Sequence, residues 1–127
     1  MRKWTAIGLQ VLLGLGFLAS AISKLTGAAD AMRDQLDIAP WFWILTALVE
    51  IVGAAGMFIG IKFPRLALPA GLWIAALMVG ALIAHLRVGD PFTNMIPAAA
   101  YLLLALVVVL LRTGAYRSRE RAGANLG

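Results

Sequence analysis

The chain has no cysteine and a single histidine, His85, so its own residues supply no disulfide, no thiolate zinc site and no iron–sulfur ligand set. With so few soft ligands, a metal or haem centre built from this chain alone is not expected. Charge is scarce: Asp, Glu, Lys and Arg make up 13% of the 127 residues, against 62% hydrophobic. A soluble domain of this size does not need so much apolar surface, and the mean hydropathy of +0.91 points to an integral membrane protein of one domain. The formal charge of +5 would suit nucleic acid if it were gathered on one surface. Instead the basic residues sit at the ends of apolar runs, which is the distribution that membrane orientation demands and which argues against a nucleic-acid partner.

What the chain does have is four apolar runs of bilayer-spanning length, at about 4–25, 41–61, 66–86 and 95–111. The fold class expected is therefore all-α, a four-helix transmembrane bundle over residues 1–111, followed by a basic tail, 112–127. The first run begins like a signal peptide, with Arg2 and Lys3 before it and a small Ala19-Ser20-Ala21 within it. Its length favours a retained span. Gly16, Ser20 and Lys24 recur at i+4 spacing as a narrow face ending in a cation, and Gly27 closes the helix. Residues 28–40 mix charges with Met32, Leu36 and Ile38, which fits either a short interfacial helix or a solvated loop. Trp41, Phe42 and Trp43 follow as a headgroup-level aromatic cluster. Gly56 and Gly60 form a GxxxG packing pair in the second run, and Pro69 and Pro97 fall in the first turns of the third and fourth. The tail, with Arg112, Arg117, Arg119 and Arg121, reads as a frayed end that binds lipid headgroups.

One carboxylate, Glu50, interrupts the second run near its middle. An ionisable group at that depth costs about 2.5–3.5 kcal/mol even on insertion scales, so it faces the bundle interior and is paired, protonated or functional. Thr46, Gly53, Met57 and Gly60 share its face, a surface that another helix can approach closely. A packing role, in which a protonated Glu50 bonds a neighbouring helix, stands beside the functional one.

Four spans place the amino terminus, the 62–65 turn and the tail on one side. That side holds Arg2, Lys3, Lys62, Arg65, Arg112, Arg117, Arg119 and Arg121; the other holds only Lys24, Arg33 and Arg87. The positive-inside rule then puts both termini in the cytoplasm. With this topology Lys24 and His85 lie near the outer surface and Glu50 roughly 13 Å below it, at 1.5 Å per helical residue. We expect these three around one outward-opening cavity, with Asn94, Arg87 and Asp90 at its rim. Glu50 is the candidate proton-handling group; Lys24, His85, Arg87 and Asn94 are the candidate ligand-binding residues. Such a set suits a quinone headgroup, which needs hydrogen-bond donors and a proton route, or a small anion. Each residue has a plainer reading too. Lys24 could snorkel to headgroups, His85 could sit on a helix-end dipole, Asn94 could cap a helix, and Tyr101 could serve packing.

The segments Gly14 to Leu25 (GLGFLASAISKL), Glu50 to Gly56 (EIVGAAG) with Gly60, Met78 to His85, and Gly89-Asp90 to Asn94 together resemble the DoxX family of small bacterial membrane proteins. The chain departs from that pattern at Ser20-Ala21, where relatives often carry glycine. The resemblance spans about residues 8–111 and implies a four-helix, multi-pass protein of the bacterial inner membrane. It also implies association with membrane redox systems, with quinone as the ligand, no intrinsic cofactor, and a partner oxidoreductase or larger complex. Lys24, Glu50 and His85 are the polar positions that match. The expected function is a subunit or accessory of a quinone-linked oxidoreductase system. The alternatives are a structural subunit packing through glycine-rich faces and a small-molecule or lipid binder.

Overall fold

Gly27, Pro40, Pro64 and Pro91 stand at helix boundaries. In the computed structural model, which describes residues 2–126 and the side chains of 3–113, the order is α1 (Arg2–Thr26), α2 (Asp30–Gln35), α3 (Pro40–Lys62), α4 (Pro64–Arg87) and α5 (Phe92–Leu126). Pro40 and Pro64 open α3 and α4, where a missing N–H leaves no helical bond unmade. Gly27, at φ +87°, stops α1, and the N–H of Ala29 returns to the carbonyl of Ser23 at 3.1 Å. The connection that follows is the short helix α2, not an irregular loop, and Leu36 at its end is buried.

Four stretches are long and apolar enough to cross a membrane: Lys3–Thr26, Pro40–Lys62, Pro64–Arg87 and Phe92–Thr113. No strand occurs among the described residues. The four helices close into a ring, α1 beside α3 and α5, and α4 beside α3 and α5. One end of the bundle carries α2 and the 88–91 turn; the other carries the α3–α4 turn and the start of α1.

The core is built from Leu13, Phe17, Met57, Ile74 and Val108, filled in by Ala54, Ala67 and Ala105. Large apolar side chains such as Leu15, Val52, Leu72, Ile83 and Leu110 face outward. This arrangement suits lipid, where close approach of small residues holds helices together and bulky ones meet acyl chains. Gly56 and Gly60 bring α3 onto α4: a Cβ on Gly56 would lie 2.8 Å from that of Ala70, and one on Gly60 would lie 3.0 Å from the backbone of Ala67. The GxxxG pair is thus used inside the chain.

Three local expectations change. Because α4 and α5 begin earlier than hydropathy suggests, at Pro64 and Phe92, Pro69 and Pro97 fall inside the helices and not in their first turns. Asn94 lies within α5 and caps nothing; its amide donates to Asp90. The α5 backbone continues as helix to Leu126 where a frayed end is expected, and the side chains of Arg117, Arg119 and Arg121 lie outside those described. Arg112 does not reach for headgroups: it is 4% exposed.

Candidate functional site

The α3 sequence places Trp43, Thr46 and Glu50 at i, i+3 and i+7, so one face carries all three toward the bundle interior. Glu50 is 6% exposed, as its position in the apolar run requires. Lys24, in the last turn of α1, reaches across instead of snorkelling outward, and its side chain is only 11% exposed. Its Nζ donates to Glu50 Oε1 at 2.7 Å and to Thr46 Oγ1 at 3.2 Å, and stands 4.3 Å from the centroid of the Trp43 ring. An ammonium has three protons, and here it meets a carboxylate, a hydroxyl and a π face. Thr46 can accept because its own proton goes to the Trp43 carbonyl at 2.6 Å.

Two polar atoms of this cluster are buried without a hydrogen bond: Glu50 Oε2, an acceptor, and Trp43 Nε1, a donor. Buried polar atoms in proteins are overwhelmingly bonded, so each exception calls for an explanation. Chemically, the cluster can pass a proton between Nζ and Oε1, which neutralises both groups together. It also holds one donor and one acceptor that no described residue satisfies.

The other predicted residues gather elsewhere. Asp90, in the turn after α4, takes His85 Nδ1 on Oδ2 at 2.5 Å; on Oδ1 it accepts from Gln35 Nε2 at 2.5 Å and Asn94 Nδ2 at 3.2 Å. One carboxylate thereby ties α2, α4 and α5 together. The bond with His85, aided by those from Asn94 and Gln35, holds the Asp90 carboxyl below its ordinary value of 3.8 against the opposing effect of burial. Arg87 is engaged with backbone, donating to the carbonyls of Leu36 at 2.6 Å and Asp37 at 3.1 Å. Lys24 and Glu50 bond each other while His85 bonds Asp90, so these residues form two clusters that share no hydrogen bond or ion pair among the described residues. The reason is local: His85 has a carboxylate five residues away on the adjoining turn, and the bond is made there. Tyr101 packs on Phe17, ring centroids 5.3 Å apart.

A third polar contact escaped the sequence reading. Gln10 of α1 is fully buried, donates to the Met57 carbonyl at 3.0 Å and accepts from Arg112 Nε at 2.8 Å. Its signal was available: a lone amide in an apolar span poses the same question as a lone carboxylate. Among the described residues no three His, Cys, Asp or Glu side chains converge as a metal site.

A family model described as DoxX-like matches residues 8–108, a stretch that takes in all of Lys24, Glu50, His85, Asp90 and Asn94. No curated protein and no solved structure matches the chain.

Proposed function

The chain belongs to the DoxX-like family of membrane proteins, and from that premise we propose that it is an accessory subunit of a quinone-linked oxidoreductase system of the bacterial inner membrane. In this reading both termini are cytoplasmic, and the Lys24–Glu50 pair serves the ligand site. The observation that carries the reading is the orphaned pair of buried atoms beside the Lys24 ammonium: Trp43 Nε1, a donor, and Glu50 Oε2, an acceptor.

These two atoms suit a quinone headgroup, whose carbonyl needs a donor and whose reduced hydroxyl needs an acceptor. A bound quinone would supply the electron chemistry that a chain without cysteine lacks. Lys24 would hold the local charge balance, Glu50 would accept and return a proton at Oε2, and the Trp43 ring would shield the pair from water. His85 in this reading bonds Asp90 through Nδ1, which orients the ring and leaves Nε2 as the nitrogen that could meet a ligand. The surface of α3 bearing Gly56 and Gly60 is occupied by α4, so a structural subunit would have to meet its partner through other residues.

The test is thermal unfolding in detergent with a short-chain quinone added. Wild-type protein should melt at a higher temperature with the quinone, and Glu50→Gln, which keeps the shape and removes the charge, should erase the rise. An equal rise in both proteins would remove Glu50 from the ligand site; no rise in wild type would remove the quinone.

A further inference from the structure

At the α2 end, on the lipid side of the bundle, a groove of about 440 Å³ runs between α4 and the segment that leads into α3. This volume lies within the range of small-ligand sites, about 300–1,000 Å³. Its floor is Gly80, Ile83, Ala84 and Arg87 of α4, and its walls include Trp41 and Phe42. The floor residues recur at i, i+3, i+4 and i+7, so they form one strip along the helix, about 10 Å long at 1.5 Å per residue. Gly80 has open space above it: a Cβ there would meet nothing within 4 Å. The strip is apolar at depth and ends in a cation at the rim, which is the charge pattern of a lipid seen in reverse.

The rim carries both signs. The Arg87 guanidinium uses Nη2 on the carbonyls of Leu36 and Asp37. Asp37 also lines the groove, and its carboxylate makes no ion pair with Arg87 or with any other described residue. A purely anionic headgroup would be repelled by Asp37, and a headgroup with a bulky methylated amine could not offer it N–H donors. A phosphate next to a primary ammonium matches both charges.

We propose that this groove is a binding site for a phospholipid with a primary-amine headgroup, its phosphate on Arg87, its ammonium on Asp37 and an acyl chain laid over Gly80 between Ile83 and Phe42. The site is separate from the Lys24–Glu50 cluster and does not depend on the quinone reading.

Two substitutions test it without threatening the fold. Gly80→Leu projects into open space, and Asp37→Asn keeps a residue tolerant of the positive φ of 53° found at that position. Purified full-length protein is mixed with equal amounts of phosphatidylethanolamine, phosphatidylglycerol and phosphatidylcholine, and retained lipid is read by native mass spectrometry. Wild type should retain phosphatidylethanolamine about fivefold over the other two, which corresponds to about 1 kcal/mol. Gly80→Leu should lose that adduct with its melting temperature unchanged in lipid-free detergent, and Asp37→Asn should abolish the preference over phosphatidylglycerol. Equal retention of all three lipids by wild type, an undiminished adduct on Gly80→Leu, or a dimer of the chain in place of a lipid adduct would each overturn the assignment.

Discussion

A single charged group inside a membrane span is held by its partner, and the partner matters more than either charge alone. Lys24 and Glu50 lie 2.7 Å apart with little exposure, so removing one leaves the other uncompensated in a medium of low dielectric. Lys24→Met alone is expected to destabilise by about 3–5 kcal/mol, whereas Lys24→Met with Glu50→Leu should recover most of the loss. Melting temperatures of the two single variants and the double variant check this as a cycle; additive losses would mean the pair is not coupled. Asp90 makes a different prediction, because its carboxyl is held below 3.8 by the bond with His85. A depressed carboxyl contributes stability that is complete above its unfolded value and is lost as pH falls through its folded one. The latch on α2 should therefore be intact at neutral pH and be lost only in acid, as pH falls from the ordinary carboxyl value of 3.8 through the lower folded one. Amide exchange in α2 should speed up in that acid range in wild type, while Asp90→Asn should show fast exchange at neutral pH as well. At this scale Glu50 was legible because a carboxylate in an apolar run is conspicuous. The identity of its partner was not, since Lys24, His85 and Arg87 all lie toward the same end of the bundle.

Between elements, the α3–α4 contact depends on missing side chains. Gly56→Val would drive a branched side chain into Ala70, 2.8 Å from where its Cβ must sit, and overpacking of this kind costs about 1–3 kcal/mol. The neighbouring Ala55 is exposed, so Ala55→Val serves as the control and should leave the melting temperature unchanged. The glycine spacing announced a close helix contact but could not say whether it lay within the chain or between chains. That depends on which face α4 meets after the short turn at Phe63, a matter of helix rotation. The apolar positions around α2 likewise allowed either helix or loop. The Leu36 carbonyl–Arg87 contact and the Gln35–Asp90 bond, made 51 and 55 residues away in sequence, now hold it in place.

The whole molecule is a ring of four spanning helices with small residues inside and bulky ones outside. The proposed orientation, with both termini cytoplasmic, rests on the excess of basic residues toward one end, and the absence of native cysteine makes it directly measurable. Asp34→Cys should react with an impermeant maleimide added to intact cells, and Lys62→Cys only after the membrane is opened. Labelling in the reverse pattern would invert the topology.

The sequence by itself determined the number of spans, their approximate limits, the family resemblance and the presence of a carboxylate that must face protein. All of these depend on hydropathy and residue order, which vary along one dimension and survive errors of a few residues. The tertiary structure alone decided that Lys24 bonds Glu50, that His85 and Asn94 turn to Asp90, and that Gln10 meets Arg112. A hydrogen bond acts over about 3 Å, and each residue along a helix turns a side chain by about 100°, so meetings of this kind are fixed only when helix rotation and neighbour order are fixed.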